Sequence, residues 1–390
     1  MIKKIILDKA DRLYHFPFDL EDYIPQRAIK TSERKTPTID LAHFHWLAEN
    51  VNLTPENLSM EMAHADDMAS LNQAFADWLA HEYGLNVNPR KEIYAGLGVR
   101  RIIFDICMAF VEYGDVVMCP EPGMPFYRKG TIAAGGIPVT YKVSDKTDFK
   151  PALSKIPTNL GKSAKILVLN SPSNPFGVIL DETELAQMAS LASQQNIFLV
   201  NDAAYCSLSE LKFVPLRSMP GGSKVSLEIF SVPFAFGLPY IPLAFAVGPP
   251  DVIASMETIG RTIGAQLPKI WIEPIMKAIN EYPGVSLKSM KKRFSQVRLE
   301  AEKLCEQNQW KIIGGKSAPF VWIRIPGRRH SNAYAAALLR RKRILTLPGT
   351  AFGDLGEGYI RLSLTASVSD YQEAAQRMSK RPFLKKSPGE

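Results

Sequence analysis

Short, uniformly apolar runs alternate with stretches of helical period through the first two thirds of this chain. Asp67 to Tyr83 carries Met68, Leu71, Phe75, Trp78 and Leu79 at helical spacing, which predicts a helix with one buried face. Ile102 to Val111 is apolar almost throughout and predicts a buried helix. Asp115 to Cys119, Lys165 to Leu169, Ile197 to Val200, Ile229-Phe230 and Leu243 to Val247 read as strands. Asp181, with Glu184 three residues on, predicts a capped helix start. Strands that lack polar alternation need cover on both faces, so the pattern predicts a largely parallel sheet between helices.

The pattern changes near residue 265. A long helical stretch from Ile270 through Gln307 precedes a strand-like run at Phe320 to Ile325, a helix at Ala333 to Arg341 and a second strand-like run at Tyr359 to Leu364. The expected organisation is an N-terminal arm or small-domain strand over residues 1–45, a large α/β domain over 46–265 and a small C-terminal α+β domain over 266–390. A chain of 390 residues is long enough for two domains, and its apolar content of 46% suits an ordinary globular protein.

Charge and cysteines narrow the classes. The net charge of +8 raises the question of nucleic acid, but Lys288, Lys291, Lys292 and Arg293 fall among apolar residues as on the solvated face of a helix. No nucleic-acid motif accompanies them, and neither nucleic acid nor membrane is an expected partner. Cys107, Cys119, Cys206 and Cys305 lack metal spacing, and no metal site is expected. Reduced thiols and the absence of a signal-peptide pattern lead to a cytoplasmic expectation.

Ligands of parallel sheets sit at the carboxyl ends of strands. Asn174, Asp202 and Phe234 each follow an apolar strand and are candidates to converge there. Each has a plain alternative: Asn174 before a proline can set a turn, and Asp202 can cap the segment after it. Tyr205 reads equally as a core residue. Arg361, flanked by apolar residues on a strand, needs an anion or carbonyl partner. His43 and His45 share one face of an extended segment, as a surface strand or a metal pair. His64, beside Asp66 and Asp67, is a candidate acid/base group.

Several motifs occur in order: Glu121-Pro122-Gly123-Met124-Pro125-Phe126-Tyr127, Asn174-Pro175-Phe176-Gly177, Asp202-Ala203-Ala204-Tyr205, Ser231-Val232-Pro233-Phe234, Pro348-Gly349-Thr350-Ala351-Phe352-Gly353 and Arg361-Leu362-Ser363. Together, over roughly residues 50 to 380, they resemble the class I/II aminotransferases of the diaminopimelate and aspartate branch, which are fold-type-I pyridoxal-phosphate (PLP) enzymes. The resemblance implies a large domain with a mostly parallel, seven-stranded sheet, a smaller α+β domain, amino-acid metabolism and a dimer with itself or with a homologue. It also implies that Asn174 and Tyr205 meet the cofactor's phenolic oxygen, that Asp202 pairs with its pyridinium nitrogen, and that Arg361 grips a substrate carboxylate.

The same resemblance exposes departures. Phe234 stands where the family's lysine forms its Schiff base, and a phenyl ring neither anchors an aldehyde nor shuttles a proton. The phosphate arginine falls on Pro242, a hydroxyl residue of the first phosphate turn on Val99, the second serine of the anchor motif on Pro233 and the ring-stacking aromatic on Met124. No tyrosine for a neighbouring active site lies within residues 60 to 67. Ser231 and Arg100 survive. Each charge-assisted partner of a buried anion is worth on the order of 2–5 kcal/mol. Summed, the losses exceed the roughly 8 kcal/mol of micromolar binding.

The resulting expectation is a degenerate aminotransferase-like protein with no cofactor, not a conventional transaminase. It would be a repurposed enzyme or binding subunit for a small carboxylate-bearing, amino-acid-like ligand. Arg100, Met124, Asn174, Asp202, Tyr205 and Ser231 would be vestigial or repurposed cofactor contacts, and Arg361 the carboxylate site. Phe234, Phe236, Pro239, Tyr240 and Ala244 would fill the former cofactor space or line an apolar pocket. The alternatives are PLP or pyridoxamine phosphate (PMP) held non-covalently, and a non-catalytic partner of an active homologue. Lys224 is not expected to replace the missing lysine.

Overall fold

The computed structural model describes residues 10–23, 36–43, 61–151, 164–264, 266–327 and 330–380. Strands are, in chain order, β1 (Ile39–Asp40), β2 (Ile93–Gly96), β3 (Val116–Glu121), β4 (Ile137–Lys142), β5 (Ala164–Asn170), β6 (Phe198–Asp202), β7 (Ser226–Ser231), β8 (Ala244–Val247), β9 (Lys311–Ile313), β10 (Phe320–Arg324), β11 (Ile344–Leu345), β12 (Leu347–Pro348) and β13 (Tyr359–Ser363). The principal helices are α1 (Ala65–Tyr83), α2 (Val99–Phe110), α3 (Pro125–Ala133), α4 (Glu182–Gln195), α5 (Val232–Phe236), α6 (Pro250–Thr262), α7 (Ile272–Asn280), α8 (Val285–Gln307), α9 (Ser331–Lys342) and α10 (Val368–Ser379).

The large sheet has seven strands in the order β2-β8-β7-β6-β5-β3-β4. Only β8 runs against its neighbours; the other pairs are parallel. This is the mostly parallel α/β architecture that the apolar runs predict. The strands β5, β6, β7 and β8 are buried nearly throughout because helices cover both faces. On one face Phe75 of α1 stacks on Phe245 of β8 (ring centroids 4.0 Å apart), with Trp78 and Phe230 edge-on around it. On the other face Ile102, Ile103 and Ile106 of α2 join the β-strand core. Asp181 caps α4 as the sequence predicts: its Oδ1 accepts from the Glu184 amide, and Glu184 Oε2 accepts from the Asp181 amide, both at 2.9 Å.

A second, antiparallel sheet has the order β12-β13-β10-β9 and packs against α8 and α10. The short β1 pairs in parallel with β11, so part of the amino-terminal segment joins this second unit. The helical stretch expected from Ile270 through Gln307 is two helices, not one. Pro283 lacks an N–H for a continuing helix, and Gly284 serves as the N-cap of α8.

Gly237 closes the short α5 with φ of 72°, a left-handed conformation. A Cβ there would lie 2.6 Å from the amide nitrogen of Leu287 on α8. Backbone conformation and close approach therefore both require glycine. Gly237→Ala is expected to lower unfolding stability by more than about 1 kcal/mol, read as a fall in the urea midpoint at unchanged slope. An unchanged midpoint would show that α8 yields freely at this contact.

Candidate functional site

The parallel order of the large sheet gathers the candidate residues. β2, β3, β5, β6 and β7 all end at one edge, and the antiparallel β8 begins there. The segments leaving those strand ends carry Gly98, Met124, Asn174, Asp202 and Phe234, while Pro242 precedes β8. They line one cavity of about 370 Å³, together with Arg100, Tyr205, Ser231 and Arg361. Every residue named from the sequence as a cofactor or carboxylate contact thus reaches the same space. Leu20, Ala42, His43 and Leu347 close it from the amino-terminal segment and the second sheet.

Asp202 ends β6 and is buried. Its Oδ2 accepts from the Tyr127 hydroxyl at 2.7 Å and its Oδ1 from the Ala204 amide at 3.1 Å. Burial pushes this carboxyl up to about 6, and the two hydrogen bonds oppose the shift. Asn174 Nδ2 donates to the Tyr205 hydroxyl at 3.1 Å, and Asn174 Oδ1 accepts from Arg361 Nη1 at 3.1 Å. Arg361 Nη2 donates to the Ala42 carbonyl at 3.2 Å. Its guanidinium lies between the rings of Phe320 and Phe352, each centroid 5.1 Å away. The fork is therefore buried and aligned across the seam between the two sheets.

The part of the cavity beside α2 carries fewer buried polar groups. Gly98 caps α2 with φ of 87°, and the first amides of that helix point out of its end as a site for negative charge. Arg100 is exposed and stacks its guanidinium over Phe126 at 5.7 Å. Ser231 is buried at the start of α5.

Phe234 packs against Tyr205, with centroids 4.8 Å apart. The expected apolar infill does not form. Phe236 turns to the opposite side of the segment and packs against Trp78 at 4.9 Å, Ala244 is inside the sheet, and Tyr240 is largely exposed. A short helix alternates its faces within three residues, so only Phe234 of that group faces the cavity. No lysine is among the described residues that line the cavity. Lys224 is exposed before β7, at the other end of that strand.

His64 is exposed at the start of α1 and does not line the cavity. His45 lies outside the described residues. No cluster of metal-ligating side chains occurs among the described residues, and no helix among them is long and apolar enough to cross a membrane. Sequence reasoning passed over Tyr127 as a partner of Asp202. Pro125 marks the first position of α3, and Met124 and Tyr127 then fall on one face of its first turn.

A seven-stranded sheet with a site at its carboxyl edge and a second antiparallel unit is the architecture of fold-type-I PLP transferases. The sequence matches the family model "Aminotransferase class I and II" over residues 57–378, and the chain belongs to that family. It is 27% identical to the LL-diaminopimelate aminotransferase of Halothermothrix orenii, covering 95% of this chain and 98% of that protein. It is 28% identical to LL-diaminopimelate aminotransferase 2 of Trichormus variabilis, covering 83% and 87%. Substrate-bound BacF from Bacillus subtilis has the same fold, with a TM-score of 0.87, 22% identity and coverage of 96% and 98%. A Thermus thermophilus aspartate aminotransferase mutant has a TM-score of 0.83 at 20% identity, covering 96% and 100%.

This membership overturns the expectation of no cofactor: aminotransferases of this family are PLP-dependent, which points to PLP. The expectation added the costs of lost donors, and truncation costs in one cluster are not additive. The donor set itself fits such a group at its ring end. A buried carboxylate, an amide-hydroxyl pair and a helix amino terminus share a cavity of about 370 Å³.

Asp202 also makes stability depend on pH. Its folded-state value lies above the ordinary 3.8, so the native state holds the proton more tightly, and its stabilisation by that proton is lost between about pH 4 and 6. Asp202→Asn without cofactor is expected to be more stable than the parent at neutral pH, by about 3 kcal/mol at most. That advantage should vanish near pH 4. A stability difference independent of pH would rule out a titrating Asp202.

Proposed function

We propose that this protein is an unconventional member of the aminotransferase family that holds PLP or PMP without a covalent link. It acts on an amino-acid-like ligand whose carboxylate binds Arg361. The observation that carries this reading is the joint placement of Asp202, Asn174, Tyr205 and Arg361 around one cavity that Phe234 also lines. When bound, the cofactor supplies an electron-withdrawing pyridine ring. Asp202 would accept from the ring N–H, which gives the buried carboxylate a cationic partner. Asn174 and Tyr205 would hold the phenolic oxygen. The α2 amides, Ser231 and Arg100 would receive the phosphate. Met124, Val99 and Phe234 would keep water from the ring faces.

Arg361 orients the ligand through two parallel donors, and its aromatic flanks fix the plane of the fork. The relatives named LL-diaminopimelate aminotransferase favour an amino acid with a further polar group as the ligand. Assembly as a dimer, with itself or with a homologue, belongs to the proposal and would appear as a doubled mass in light scattering. Phe234 also suits a second reading, a non-catalytic partner of an active homologue, which co-purification with a lysine-bearing chain would support.

The parent protein incubated with PLP is expected to retain it through desalting yet show no cofactor mass on the chain after borohydride reduction. Phe234→Lys should gain that covalent mass. L-Glutamate should raise the melting temperature of the parent and leave Arg361→Ala unmoved. A borohydride-fixed adduct on the parent, or loss of all PLP on desalting, contradicts the proposal.

A further inference from the structure

A second cleft, of about 310 Å³, opens at the seam between the large sheet and the carboxyl-terminal part of the chain. Among the described residues, none lines both it and the cavity around Asp202. Trp322 of β10 is the direct cross-strand neighbour of Arg361 on β13; Trp322 lines the new cleft and Arg361 the first cavity. Phe352 packs against both, with its ring 5.5 Å from that of Trp322 and 5.1 Å from the guanidinium. Packed side chains therefore separate the two spaces.

The apolar wall of this cleft is held by ring packing. Tyr359 stacks on Trp322 with centroids 5.2 Å apart. Phe149 stacks on Phe176 at 4.5 Å and meets Tyr359 edge-on at 6.5 Å. Phe149 has a φ of 57°, directly after Asp148 at 48°, a left-handed conformation that a bulky residue rarely adopts. Its amide donates to the Ser144 carbonyl at 2.8 Å, and its ring is buried against the cleft. Strained positions of this kind concentrate at ligand clamps. Pro122 and Leu355 complete the apolar lining. The rim is cationic. Lys142, at the end of β4, and Lys146 are exposed and line the cleft with Asp145. Asp145 Oδ2 already accepts from Arg324 Nη2 at 2.6 Å, an ion pair that bridges the seam. That pair cancels in charge and leaves the two lysines in excess among the lining residues. About 310 Å³ is the small end of ligand sites, which span roughly 300–1,000 Å³, and suits a single ring or a short branched chain.

We propose that this cleft is a second ligand site, for a small organic anion with an apolar body. The anionic group meets Lys142 and Lys146, and the body lies against Phe149, Tyr359 and Leu355. Removing the body from water supplies the greater part of the binding, and the lysines select the sign of the charge. The site depends neither on a cofactor nor on a carboxylate at Arg361.

The test is a calorimetric titration of 3-phenylpropionate into the full chain at low ionic strength. 3-Phenylpropanamide serves as the uncharged match, and acetate as the charge without the body. Saturable binding of the acid is expected, about tenfold tighter than the amide, with acetate weaker still. Lys142→Gln combined with Lys146→Gln changes two exposed side chains and leaves the core intact. It should weaken the acid about tenfold and leave the amide unchanged. Leu355→Ser should weaken both. Equal affinity for acid and amide in the parent, an acid affinity that the paired lysine variant does not alter, or no binding of the acid would each overturn the site.

Discussion

The buried carboxylate of Asp202 is the constraint around which this site is organised. It sits at the end of a central strand, out of reach of bulk water, and is held by one hydroxyl and one amide. An apolar core does not tolerate such a group without recompense, and burial raises its proton affinity accordingly. A chain shaped only for folding would gain by replacing it with a neutral side chain. With the Tyr127 hydroxyl fixing its orientation, the carboxylate gives the cavity an acidic floor. Beside it, Tyr205, Asn174 and Arg361 form a line of hydrogen bonds that ends at the Ala42 carbonyl at the seam between the two sheets.

Against this polar line stands Phe234. It leaves the strand-end geometry of the anchor segment intact, since α5 still caps at Gly237 and still packs against α8. What changes is chemistry at one atom: no amine enters the cavity from this side. Binding and covalent anchoring are therefore separable here. In the proposed reading the buried donors would meet the cofactor ring, and a helix terminus, a serine and a surface arginine would receive its phosphate.

Much of the fold was legible from local pattern. Uniform apolar runs at Lys165 to Leu169 and Ile197 to Val200 are central parallel strands because only doubly covered strands lack polar alternation. The strand-end rule placed Asn174 and Asp202 together without coordinates. Other features depend on long-range packing. Phe236 looks equivalent to Phe234 in sequence, yet the short α5 sends it towards Trp78. The break before α8 had a local signal in Pro283-Gly284 that helical periodicity on either side obscured. The Tyr127–Asp202 bond and the closure of the cavity by Ala42 and His43 join residues distant in sequence, and no local propensity encodes them. The absence of a cofactor was inferred by adding energies that do not add, and family membership corrects it.

The most direct measurement is a calorimetric titration of pyridoxamine phosphate, which needs no lysine, into the parent chain and into Asp202→Asn. Saturable binding to the parent that weakens at least about tenfold in the variant is the expected result, since a charge-assisted hydrogen bond is lost. Equal affinity in both, or no binding to the parent, would contradict a cofactor cradle built on Asp202.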